Sequence, residues 1–238
     1  MAARVGNRIL SIMAGILILL MLSYGMYSLW DTYKIYANSF ADEELLKFRP
    51  TDDGEDNPTL KDLKKLNPDV KAWIQVPKTN IDYPVVQGQD DMEYINKNVY
   101  GEFELSGAIF LSCLNKDDFS DPYNLVYGHN MKNGSMFAGL KNYSDQSYAE
   151  AHPYIYVDLA DGSHCYEIFS AHEADATDIT YTIGYRANDT YASFLDSLKT
   201  ASLYDTGVEV TKDDSVISLS TCTKSGEKRF VVHAKKLY

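Results

Sequence analysis

Among the 238 residues are three cysteines, and one of them, Cys222, has the surroundings of a nucleophile. It follows the strand-like run Val216-Ile217-Ser218-Leu219-Ser220-Thr221 and precedes the turn-like Lys224-Ser225-Gly226-Glu227. A side chain at a strand end, just before a loop, is held by a rigid sheet yet open to a substrate. A free thiol has a pKa near 8.5, so a thiolate needs positive charge beside it. Seven residues on, Lys228-Arg229 opens the next strand-like run. A hairpin that returns the Arg229 guanidinium alongside Cys222 supplies that charge and can stabilise a developing oxyanion. A thiol nucleophile also needs a general acid and base. Of the five histidines, His129 stands in Tyr127-Gly128-His129-Asn130, at the end of a strand-like run and the mouth of a glycine-bearing loop. His152 precedes Pro153 and reads as a turn residue, while His172 and His233 fall inside strand-like runs. The chemistry these types support is nucleophilic catalysis by a thiol, with Cys222 as the candidate nucleophile, His129 as its candidate acid and base, and Arg229 as charge stabiliser.

The other two cysteines read differently. Cys113 ends the apolar run Ile109-Phe110-Leu111-Ser112 and is expected to be a small packed side chain, as free cysteines usually are. Cys165 follows His164, but consecutive strand side chains point to opposite faces, so the pair is not a joint site. No spacing of His, Cys or acidic residues suits a metal, and there is no Gly-rich phosphate loop; no metal and no cofactor is expected. Asp90-Asp91 and Asp117-Asp118 read as solvated turns.

These residues must be placed by a sheet. Short β-branched or aromatic runs at 72–76, 81–86, 108–112, 124–127, 154–159, 166–171, 208–210, 216–220 and 230–234 predict strands. Helical stretches are predicted at 90–96, 135–140 with 146–151, and 188–202, the last with Tyr191, Phe194, Leu195 and Leu198 on one face. Leu60, Leu63 and Leu66 give a further helix with Asn57 as N-cap and Pro58 at its first position. Many short strands with few helices predict a mainly β fold, a closed barrel or sandwich with helical insertions.

The net charge of −12 conceals two environments. The first 30 residues carry Arg4 and Arg8 and no acid, +2; the other 208 carry 20 basic and 34 acidic side chains, −14. That balance argues against nucleic acid as a partner. Ile9–Trp30 is a 22-residue uncharged run, long enough for a hydrocarbon core of about 30 Å. Tyr24, Tyr27 and Trp30 crowd its end as an interfacial belt. An uncleaved membrane anchor is expected, with the N-terminus cytoplasmic and the rest extracellular. A cleaved signal peptide and a buried core helix are the rivals, and the run exceeds the usual h-region of about 7–15 residues. The organisation expected is tip and anchor over 1–30, a stalk over 31–57 broken at Pro50 and Asp53-Gly54 with a short helix around Asp42–Phe48, and a catalytic domain over 58–238.

With these pieces assembled, the chain resembles the sortase family, the membrane-anchored cysteine transpeptidases of Gram-positive bacteria, and most of all class B. The resemblance covers about Leu60 to Lys236. It rests on Leu219-Ser220-Thr221-Cys222, which matches the family's Leu-x-Thr-Cys motif, on Asn124-Leu125-Val126-Tyr127-Gly128-His129-Asn130-Met131 with Met136-Phe137, and on Arg229-Phe230-Val231-Val232-His233-Ala234. Tyr83-Pro84-Val85-Val86-Gln87 and Gly107-Ala108-Ile109-Phe110 fit as well. The resemblance implies a closed barrel of about eight strands, N-terminal helices, and a helix-bearing insertion at about Ala176–Ala201 walling a peptide groove.

It further implies that Cys222 attacks the carbonyl after the Thr of a C-terminal sorting signal on a surface protein. His129 then serves the leaving and incoming amines, Arg229 holds the oxyanion, and a peptidoglycan cross-bridge amine resolves the thioester. Ser220, Thr221 and Asn130 are candidate substrate-binding residues; for Ser220 and Thr221 packing and substrate contact stand open. No acidic cluster suggests a Ca²⁺ site. Two other classes remain as alternatives: a surface cysteine peptidase using water as acceptor, and a non-catalytic anchored binding barrel.

Overall fold

The computed structural model describes residues 2–41, 43–50, 57–160, 162–223 and 227–238, with backbone alone for Ala2, Ala3 and Cys222. The expected Asp53-Gly54 break and Lys224-Ser225-Gly226 turn lie outside the described residues, as does Asp42 of the short stalk helix. The chain forms two compact units, Met1–Asn38 and Ser39–Tyr238.

The first unit is one helix, α1 (Ala2–Asn38). It extends the apolar run Ile9–Trp30 at both ends, and large apolar side chains such as Leu10, Leu19, Met21 and Leu29 stay exposed around it. A helix apolar on every side is buried in a large core or spans a membrane, and α1 is long and apolar enough to be a candidate span.

The second unit opens with α2 (Glu43–Leu46) and α3 (Pro58–Leu66). Leu60 and Leu63 are fully buried, but Leu66, at the fraying last turn, is exposed. Asn57 does stand at the N-cap, with Pro58 following, but its side chain makes no cap. Its Nδ2 donates instead to Leu159 O at 2.6 Å, because a carbonyl at a strand end competes for the amide.

Eight strands follow: β1 (Val70–Gln75), β2 (Asp82–Val86), β3 (Ile109–Leu111), β4 (Tyr123–Tyr127), β5 (Tyr154–Leu159), β6 (Gly162–Asp175), β7 (Val216–Cys222) and β8 (Lys228–Lys236). They close into a barrel in the order β1-β2-β3-β4-β7-β8-β6-β5. Only β2/β3 and β4/β7 are parallel pairs. The alternation of side chains sends Ile217, Leu219, Val232 and Ala234 inward to a core shared with Ile74, Val85, Ile109 and Val126. Outside the barrel two satellite clusters form. One sets α3 against Trp73, Val86 and Phe110. The other sets α5 (Asp189–Ala201), through Tyr191, Phe194, Leu195 and Leu198, against Tyr123, Leu125 and Val216. Between α3 and β6 lies one more helix, α4 (Gln146–Ala151), capped by Asp145.

The strand predicted at Val208–Val210 is not formed. A closed barrel has no free edge for it, and its two valines pack as extended coil against the α5 cluster. The helical stretch predicted at 90–96 is only a 3-10 turn, Glu93–Ile95, and the one predicted at 135–140 is a 3-10 helix displaced along the chain to Ala138–Ser144.

Two of the strand histidines face the α5 side. His172 and His233 stack with centroids 5.0 Å apart, and Ser218 Oγ lies 2.6 Å from His233 Nδ1. Burial lowers both pKa values, and for His233 the neighbouring His172 lowers it further; Asp178 pulls His172 the other way. An unfolded histidine titrates near 6.5. In acid the unfolded chain therefore binds more protons than the folded one, so this contribution is intact above about pH 6.5 and is lost as pH falls below it. Melting temperature should drop between pH 7.5 and pH 5.5, and the drop should shrink in His233→Gln. An unchanged pH slope in that variant would remove the pair as its source.

Candidate active site

β7 lies between β4 and β8, and its register aligns the three candidate residues. Tyr127 of β4 pairs with Ser220 of β7, and Gly128 N donates to Ser220 O at 3.1 Å. His129 and Cys222 each come two residues after that pair. On the other side, Cys222 and Arg229 are directly opposed in the antiparallel ladder. Three adjacent strand ends thus deliver Cys, His and Arg to one rim of the barrel.

A cleft of about 240 Å³ opens at this rim, lined by His129 and Arg229 together with Asp91, Ile95, Phe110, Tyr127, Gly128, Ser220 and Thr221. The His129 ring is half-buried, and its Nε2 lies 2.8 Å from Ile95 O. A carbonyl only accepts, so in the neutral ring Nε2 carries the proton and Nδ1 is the basic nitrogen. Arg229 is half-buried in the cleft wall while Lys228 is exposed, as expected for neighbours on opposite faces of a strand.

The candidate substrate-binding residues part company. Ser220 is on the outer face, where its hydroxyl lies 3.0 Å from Tyr181 Oη. Thr221 pairs with Phe230, a core residue, and so belongs to the inner series. Its Oγ1 is buried without a hydrogen-bond partner. Asn130 pairs with Met136 behind His129 and is not among the cleft-lining residues.

Other cleft residues were not singled out by the sequence. Asp91, read as a solvated turn, accepts from Cys113 N at 2.6 Å and from Ser112 Oγ at 3.0 Å. Cys113, expected to be packed, is only partly buried; its backbone N–H buttresses the cleft carboxylate, and desolvation together with Asp91 raises the pKa of its thiol. Tyr127 sits between Phe110, 5.2 Å away, and Tyr181, stacked at 6.3 Å, and forms an apolar wall whose phenol burial keeps neutral. Tyr181 comes from the 3-10 turn Ile179–Tyr181 in the insertion between β6 and β7. Its aromatic type was visible in the sequence, but its partner across 39 residues was not. Cys165 is buried on β6 with its thiol pKa raised by desolvation, in keeping with a packing role.

Gly128 is the hinge of the arrangement. A Cβ there would meet Ile109 Cδ1 at 2.5 Å and Phe137 Cδ2 at 2.7 Å. Overpacking of this kind costs about 1–3 kcal/mol, and relief would displace the strand end that carries His129. Gly128→Ala should lower the melting temperature and cut the kcat/KM of any reaction this cleft catalyses by about tenfold or more. Wild-type kinetics would show that the close approach is not needed.

Residues 74–237 match the family model of the sortase domain. The chain belongs to the sortase family, and it is a cysteine transpeptidase of that type. Its relatives place it in class B. Sortase B of Listeria monocytogenes is 37% identical over 186 residues, covering 76% of this chain and 75% of that protein. Sortase B of Staphylococcus aureus is 32% identical over 181 residues, 75% of this chain and 74% of that protein. The S. aureus sortase B–substrate complex superposes with a TM-score of 0.72 at 31% identity, covering 77% of this chain and 86% of that one. Clostridium perfringens sortase B gives 0.70 at 34% identity, with 75% and 99% covered.

Proposed function

We propose that the enzyme cleaves a C-terminal sorting signal after its Thr and transfers the new acyl end to a peptidoglycan cross-bridge amine, fixing surface proteins to the cell wall. The observation that carries this reading is the single cleft joining His129 and Arg229 at strand ends on either side of the end of β7. The Cys222 thiol passes its proton to His129 as the sulfur adds to the Thr carbonyl, and the C–N bond breaks as His129 hands that proton to the departing amine. Arg229 holds the oxyanion. The incoming amine then gives up its proton to His129, attacks the thioester and expels the Cys222 sulfur. The apolar wall of Phe110, Tyr127 and Tyr181 shields the thioester from water. Ser220 contributes at the groove through Tyr181. In the cell α1 spans the membrane with Arg4 and Arg8 inside and the barrel outside.

The relatives support this reading: one solved structure is a sortase B–substrate complex, and another is sortase B complexed with a triglycine peptide. The full-length chain in detergent should be given pentapeptides ending Thr-Gly, Thr-Asn or Thr-Ala, with and without triglycine, and the products weighed by mass spectrometry. The reading requires a peptide ending in Thr joined to triglycine. Hydrolysis alone, at any triglycine concentration, would make the enzyme a peptidase instead.

A further inference from the structure

The residue that follows α1 is tied to the loop that bears His129. We infer that Ser39 is a positioning residue for His129, acting through the hairpin 130–136; this rests on the proposed role of His129. Ser39 is fully buried, although it lies in the polar stretch between the apolar helix and the barrel. Asn133 Nδ2 donates to Ser39 Oγ at 2.8 Å, the hydroxyls of Ser39 and Ser135 are 2.7 Å apart, and Ser135 Oγ is 2.7 Å from Asn133 Oδ1. Each hydroxyl has one proton to give. A ring in which each of the three groups gives one proton and accepts one meets all of these contacts. The backbone of Ser39 is held too: Tyr83 Oη donates to Ser39 O at 3.2 Å and accepts from Met136 N at 3.0 Å.

The hairpin has reason to need this hold. Met136 sits at φ 54°, a left-handed conformation that a side chain with a Cβ resists. It persists only where the surroundings enforce it. The strained residue is also the one that pairs with Asn130, while Phe137 N donates to His129 O at 2.9 Å. Removing the Ser39 hydroxyl opens the ring: the half-buried Asn133 amide loses this acceptor and the buried Ser135 hydroxyl loses this donor. The cheapest response is for the hairpin to swing toward water, and His129 swings with it. Misplacing a catalytic group by even about 1 Å can cost on the order of 100-fold in rate.

The test uses the full chain in nanodiscs and reads two signals: peptide cleavage, and the imidazole resonances of His129, assigned by their loss in His129→Asn. In Ser39→Ala, kcat should fall about tenfold with KM within about twofold, and the His129 resonances should shift while those of His152 and His172 stay. Ser39→Ala and Ser135→Ala combined should do no more harm than the worse of the two, since both act through one ring. If Ser39→Ala does not fold, Tyr83→Phe carries the same test. It keeps the buried ring and deletes only the hydroxyl shared by Ser39 and Met136. Unmoved His129 resonances in a folded variant would overturn the inference, whatever the melting temperature does. Cleavage that survives His129→Ala would instead sink the reading of the site, a separate result.

Discussion

Cys222→Ala should reduce sorting-peptide cleavage by at least about 10⁴-fold, to background, because removing a nucleophile removes the covalent route itself. Cys113→Ala and Cys165→Ala should keep most of the activity. The contrast is chemical as well as positional. The Cys113 thiol is beside the Asp91 carboxylate and the Cys165 thiol is desolvated, and both influences disfavour the thiolate that attacks a carbonyl. The backbone of Cys222 is instead opposed to a guanidinium-bearing residue. Mass spectrometry of the quenched reaction gives a second reading: a thioacyl adduct on the peptide containing Cys222 in the wild type, and none in the variant. Cleavage persisting in Cys222→Ala would end the proposal.

His129→Ala should cost about 10²–10⁴-fold in kcat/KM, the usual worth of a positioned proton carrier. The loss should appear in both half-reactions, since in the proposed mechanism one imidazole serves the leaving amine and the attacking amine. Pre-steady-state measurement separates them: the acylation burst and the triglycine-dependent decay should slow together. A variant that slows only the second step would confine His129 to the acceptor. The hydrogen bond from Nε2 to Ile95 O adds a detail. His129→Gln can present a donor to that carbonyl but has no titratable nitrogen, so it should refold the loop without recovering the rate.

The strand ends were legible in the sequence for a physical reason. Period-2 alternation and turn residues are local signals, and Val216–Thr221, Asn124–Tyr127 and Phe230–Ala234 all carry them. The position of Arg229 beside Cys222 was equally local, a hairpin seven residues wide. What the sequence did not disclose depends on long-range closure. Nothing near Tyr181 indicates a partner on β7, and nothing in Asp90-Asp91 separates a solvated turn from a carboxylate that two backbone and hydroxyl donors hold in a cleft. The failed strand at Val208–Val210 belongs here too, since its residues suit a strand but the closed sheet has no place for one. Thr221 lines the cleft although it pairs with the core residue Phe230, and the Asn130–Met136 bridge that sets where Asn130 faces is likewise not legible from nearness in the chain.

The strand order also sets a schedule for the growing polypeptide. β8, the last strand to be synthesised, is not at the margin of the sheet but between β6 and β7, and it pairs along its length with both. Chains emerge N-terminal end first. Until β8 arrives, β6 and β7 each present an unsatisfied edge, and the barrel stays open. Arg229 arrives on that same strand. A chain made only as far as β7 therefore has Cys222 and His129 without the strand that carries Arg229, and on the proposed mechanism its centre stays silent until β8 is in place.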